Sequence, residues 1–84
     1  MNPKIKELLA RAQRLYDEGK AVQQVSIDAK RDMTSEELTK CEVLFDHALA
    51  AKSEADRLHK FEENNAALHK TFDEIEFKTP LAGQ

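Results

Sequence analysis

The sequence predicts an all-α protein: two long helices packed as an antiparallel hairpin or coiled coil. Three observations carry that prediction. There is no proline between Lys4 and Thr79 and no glycine between Lys20 and Pro80, so little in the chain interrupts a helix. Apolar residues recur at three- and four-residue steps on both sides of the midpoint, which is the spacing of one helix face. Between those stretches, Thr34-Ser35-Glu36-Glu37 carries the S/T-x-x-E signature of a helix start, with Met33 and Leu38 at the two positions that form a hydrophobic staple. In this signature the Thr hydroxyl and the Glu carboxylate each take up one backbone N–H that the first helical turn leaves without a partner.

The first helix is expected over about residues 3–29. Asn2 is a good N-cap, and Pro3 at the first helical position costs no hydrogen bond because that N–H has no intrahelical partner. Ile5, Leu8, Leu9, Ala12, Leu15, Tyr16, Gly19 and Val22 then form one apolar stripe. Gly19 lies on it and costs about 1 kcal/mol relative to alanine in a helix interior; it is read here as tolerated rather than needed for close approach. Val25 and Ile27 leave the phase, and the turn is placed at about 30–34.

The second helix is expected over about residues 35–63, with continuation to about 76 past a weak point at Asn64-Asn65. Its stripe holds Leu38, Cys41, Leu44, Phe45, Ala48, Leu49, Lys52, Ala55, Leu58 and Phe61, and Leu68, Phe72 and Ile75 resume it. Glu36 and Glu37 in the first turn favour the positive end of the helix dipole. Residues 1–77 thus form one helical domain, and 78–84 a flexible tail rich in helix breakers. The apolar cluster of Phe72, Ile75 and Phe77 beside that tail suggests that something follows or docks there.

Composition limits what such a chain can be. In 84 residues, 40% are apolar and 35% charged, with four Phe, one Tyr and no Trp. Two helices side by side cover little of each other's surface, so marginal stability or self-association is expected. The formal charge of −3 argues against a nucleic-acid module, which carries a basic face. Residues 4–31 hold seven Lys/Arg against four Asp/Glu, and residues 34–63 hold four against eight. Antiparallel packing would set those opposite signs against each other. No apolar run approaches the roughly 20 residues of a membrane span, and no signal-peptide pattern opens the chain. A single cysteine, Cys41, excludes an internal disulfide and suits a reducing cytoplasm.

No catalytic, cofactor or metal site is expected. His47, His59 and His69 are spaced by twelve and ten residues, which are not ligand spacings on a helix. Cys41 falls on the apolar stripe with no histidine on its face and is read as a small buried hydrophobe. The adjacent acidic pairs Asp17/Glu18, Glu36/Glu37 and Glu62/Glu63 diverge around the helix, and two glycines cannot build a phosphate loop.

Several strings taken in order carry a resemblance. Lys6-Glu7-Leu8-Leu9 is a K-x-x-L opening, and Arg31-Asp32-Met33-Thr34-Ser35-Glu36-Glu37 has the form R-x-[LM]-T-x-E-E. Glu42-Val43-Leu44-Phe45-Asp46-His47-Ala48-Leu49-Ala50 and Glu54-Ala55-Asp56-Arg57-Leu58 follow. Over roughly two-thirds of its length the chain resembles the N-terminal delta (scaffolding) domain of tailed-bacteriophage major capsid proteins with the Hong Kong ninety-seven fold. The resemblance implies a non-enzymatic domain in the host cytoplasm, inside the procapsid. There it would associate with other copies of itself, guide shell assembly and be removed by a maturation protease. It implies no cofactor, no nucleic acid and no membrane. The shell-forming domain of that family has no counterpart in these residues.

The residues expected to close the hairpin or meet other copies are Leu8, Leu15 and Val22 on the first helix and Leu38, Phe45, Ala48 and Leu58 on the second. Thr34 and Glu37 are expected to cap the second helix. The alternative is a freestanding cytosolic helical-hairpin adaptor, or a coiled-coil oligomerisation module, using the same stripe.

Overall fold

Asn2 begins the first helix by accepting the Lys4 N–H on its side-chain oxygen at 2.7 Å, leaving Pro3 at the first helical position. From there the computed structural model describes residues 2–78, and the side-chain surroundings of residues 2–74, as two helices and one turn. Helix α1 is Pro3–Asp28, 26 residues, and α2 is Ser35–Lys78, 44 residues. They run antiparallel as a hairpin measuring 74 × 19 × 15 Å, the all-α architecture that the sequence predicts. Among the described residues there is no strand. Asn64 and Asn65 do not stop α2, which continues through Lys78. Residues 79–84 of the expected tail lie outside the described residues.

The turn is built from two terminal motifs back to back. At the end of α1, Lys30 donates its backbone N–H to the Ile27 carbonyl and Arg31 donates to Ser26, both at 3.1 Å. These are the two crossed bonds of a Schellman cap. The cap places Lys30 at φ 54°, a left-handed conformation that glycine or asparagine adopts more easily. At the start of α2, Thr34 Oγ1 accepts the Glu37 N–H at 3.1 Å, and Glu37 Oε1 accepts the Thr34 N–H at 2.9 Å. Arg31 reaches across to both Glu37 oxygens, at 2.7 and 3.1 Å. One carboxylate thus serves the cap and links the last residues before the helix to its first turn.

The two helices meet along rows with a seven-residue step, the repeat of a coiled-coil seam. On α1 the inner row is Ile5, Ala12, Gly19 and Ser26, of which Ile5, Gly19 and Ser26 are buried and Ala12 half-buried. Leu8, Leu15 and Val22, the second row, are half-buried. On α2 Cys41, Ala48 and Ala55 are buried in one row, and Ala51 in the other between half-buried Leu44 and Leu58. Small residues dominate the buried rows of both helices, which is what lets them approach closely enough to bury anything. The buried Ser26 hydroxyl donates to the Gln23 carbonyl, so its polarity is satisfied within its own helix.

Gly19 corrects the sequence reading, which took it as merely tolerated. A Cβ at that position would lie 2.9 Å from Cδ1 of Phe45 and nearer still to Cε1, closer than side-chain carbons approach. Its bare backbone makes room for the Phe45 ring, while Cys41 Sγ donates to the Gly19 carbonyl at 3.4 Å. The Phe45 ring also lies 5.8 Å from that of Tyr16, tilted by 37°. Gly19 is therefore a close-approach residue.

The charge asymmetry between the halves is not used to zip the helices together. Among the described residues, Arg31–Glu37 is an ion pair at the turn, while Lys52–Asp56, Glu54–Arg57, His59–Glu63 and His69–Asp73 all lie within α2. Apolar packing and the capped turn hold the hairpin.

Candidate functional site

A helix with one neighbour can bury only a narrow strip, so the wide apolar stripe of α2 spills into solvent. Leu38 is 50% exposed, Leu49 66% and Phe61 67%. Of the residues singled out from the sequence, Ala48 is buried, while Leu8, Leu15, Val22, Phe45 and Leu58 are half-buried along the seam. Leu38 stands apart from them on the outer surface of the first turns of α2. Thr34 and Glu37 make the reciprocal cap described above.

Two exposed apolar surfaces result. The first is an open groove of about 510 Å³ between the helices, lined by Leu9, Ala12, Tyr16, Phe45, Leu49 and Lys52 among others. Its lining is mostly hydrocarbon. Lys20 Nζ lies 5.9 Å from the centre of the Tyr16 ring beside it, a distance at which a cation and an aromatic face attract.

The second surface lies at the other end of the hairpin, past the N-terminal start of α1. Asn2 Nδ2 donates to Glu62 Oε1, which fixes the level on α2 reached by the first residues of the chain. Beyond it, α2 runs a further four turns or so, about 24 Å, where among the described residues it has no neighbour from its own chain. This overhang carries Leu68, 53% exposed, and Phe72, 57% exposed, with Phe61 at its root. Three large apolar side chains on one bare helical segment form a continuous contact surface.

The sequence pattern indicated the Phe61, Leu68 and Phe72 spacing, and the expected bounds, about 3–29 and 35–63 with continuation to about 76, already made the second helix the longer. The link between Asn2 and Glu62, which fixes where the overlap ends, has no periodic signal. Ile5, Ala51 and Ala55 were outside the selected set, although they are among the most buried residues. Their seven-residue rows were the available signal.

No three His, Cys, Asp or Glu residues gather into a metal-binding group among the described residues. Glu37 has a strongly displaced pKa: the hydrogen bond from Arg31 and the Thr34 N–H hold its carboxyl at about 2. That displacement belongs to a helix cap, not to a cleft. No described helix is long and apolar enough to cross a membrane. The chain matches no family model, no curated protein and no solved structure.

Proposed function

We propose that the chain is a non-enzymatic assembly module, the scaffolding (delta) domain of a tailed-phage major capsid protein. In this reading it self-associates inside the procapsid to guide shell assembly and is then removed by a maturation protease. The observation that carries the self-association is the overhang of α2, with Leu68 and Phe72 exposed beyond the reach of α1 and Phe61 exposed at its root. The capsid context rests on the ordered strings from Lys6 to Leu58, including the R-x-M-T-x-E-E run that forms the turn and cap.

Physical considerations support this assignment. A short helical contact is weak between free molecules but becomes effective when many copies are held close together on a growing shell. A thin two-helix core opens locally at low cost, and locally opened chain is what a protease cuts. Acidic net charge would not retain incoming DNA.

The test is solution mass by light scattering over a concentration series, with far-UV circular dichroism on the same samples. Helical, concentration-dependent association supports the assembly reading. A helical monomer at every concentration turns it towards a freestanding adaptor. The open apolar groove beside Tyr16 and Phe45 favours that second reading.

A further inference from the structure

We propose that the distal part of α2, from Leu58 to Ile75, pairs with the same segment of a second copy as a parallel, in-register, two-stranded coiled coil. The proposal rests on the self-association reading and adds which surface is used, in which direction and in what register.

The argument begins with the rows of the hairpin seam. One row of α2, Leu44, Ala51 and Leu58, runs on at the same seven-residue step to Asn65 and Phe72. The other, Cys41, Ala48 and Ala55, runs on to Glu62 and His69, which are polar. Beyond Leu58 the apolar character passes instead to Phe61 and Leu68, each one residue, about 100°, around the helix from that second row. The overhang therefore does not continue the surface that packs on α1. It presents a new seam on the other flank of the shared row, turned away from its own chain.

That seam has coiled-coil order. Leu58, Phe61, Asn65, Leu68, Phe72 and Ile75 alternate steps of three and four residues. Leu58, Asn65 and Phe72 take the a positions, and Phe61, Leu68 and Ile75 the d positions. Phe61, Leu68 and Phe72 are all more than half exposed, and Asn65 is exposed with them. The surface is therefore available to a partner as it stands.

Two features select a second copy of this chain in parallel orientation. The first is Asn65. In a parallel, in-register pair each a residue meets its own counterpart, so the two Asn65 amides can hydrogen-bond across the seam. In an antiparallel pair an a residue meets a d residue, and every d residue here is hydrocarbon, leaving the amide buried without a partner. The second is charge. Parallel pairing brings the g position of one helix beside the following e position of the other, here Arg57 against Glu62. Arg57 keeps one terminal nitrogen free of its Glu54 contact, and Glu62 keeps one oxygen free of Asn2. The same offset sets Asn64 beside His69, a pair of side chains able to hydrogen-bond.

The test uses the full chain. Leu68→Glu changes an exposed residue beyond α1, so the hairpin is expected to keep its helical signal while dimerisation weakens about ten-fold or more. Orientation is read from Arg57→Cys in a Cys41→Ala background, labelled with pyrene, its fold checked by circular dichroism. Parallel pairing places the two labels at the same level and gives excimer emission. Antiparallel pairing of the Leu58–Ile75 segments places them at opposite ends, about 28 Å apart, and gives none. A dimer with excimer emission, weakened by Leu68→Glu, is the expected result. Association that is unaffected by Leu68→Glu overturns this proposal and leaves self-association through another surface standing. Association weakened by that change but without excimer emission overturns the parallel arrangement. A monomer at all concentrations, with the face serving a different protein, overturns both this proposal and the reading it rests on.

Discussion

The edge of the Phe45 ring lies against the bare α-carbon of Gly19, so that the largest side chain of the seam is accommodated at a residue with none. Tyr16 packs at a tilt beside the same ring, and Cys41 bonds to the Gly19 carbonyl. A position with no room for a side chain and the one aromatic pair among the described residues therefore coincide. A methyl group at Gly19 would disturb both.

Gly19→Ala is the direct check. Helix propensity alone favours alanine by about 1 kcal/mol. Overpacking against Phe45 costs about 1–3 kcal/mol, because the ring edge lies where the new methyl must go. The expected outcome is a net loss of about 1 kcal/mol in chemical denaturation. Combining it with Phe45→Leu should recover part of that loss by freeing the space. A Gly19→Ala variant more stable than the parent would show that the ring moves aside freely.

Lys30 offers the opposite case. Its left-handed φ of 54° puts a Cβ where only glycine is free of strain, and both of its neighbouring cap bonds require that conformation. Lys30→Gly should stabilise the hairpin by about 1 kcal/mol, seen as a rise in the denaturant midpoint without a change in slope. Destabilisation would mean that the lysine side chain contributes more to the turn than its backbone conformation costs.

Acid should loosen the start of α2. Glu37 is held at about 2, below its ordinary 4.5, first by the hydrogen bond from Arg31 and then by the Thr34 N–H. A carboxyl whose pKa falls on folding stabilises the folded state above its unfolded pKa, and that contribution is lost as pH drops through the folded value. The window for Glu37 is therefore between about pH 4.5 and 2. In an acid titration followed by circular dichroism, Glu37→Gln should flatten the parent's decline within that window. The glutamine retains an oxygen for the Thr34 N–H but loses the charge. Equal slopes for the two proteins would remove Glu37 from the account of acid sensitivity.

The parts of this fold written in contiguous residues were legible in the sequence. The Thr34–Glu37 box is complete within four positions, and the absence of breakers announced both helices. The end of α1 was less visible, because its left-handed residue is a lysine and carries none of the usual signal. Asn64-Asn65 suggested a weak point that the helix does not show, since two poor helix formers cost less than a proline. Within the seam, a stripe that takes in Leu38, Leu49 and Phe61 is wider than one partner helix can cover. Which members are buried depends on where α1 lies and how long it is. The same dependence hid the role of Gly19, because the need for a missing side chain is set by a ring on the other helix.

The pairing of residues across the hairpin also fixes how it can form. Arg31 meets Glu37, Gly19 meets Phe45, and Asn2 meets Glu62, so each step away from the turn joins residues farther apart in sequence. Once the turn has closed, every later contact is reached by extending a ladder already in place, and the loop-closure entropy is met once, at six residues' separation. Folding then proceeds as a zip from the capped turn. Changes near Thr34 slow the closing, whereas changes near Ile5 and Asn2 hasten the opening. The far end, where α1 stops and α2 continues alone, is the last to join and the first to part.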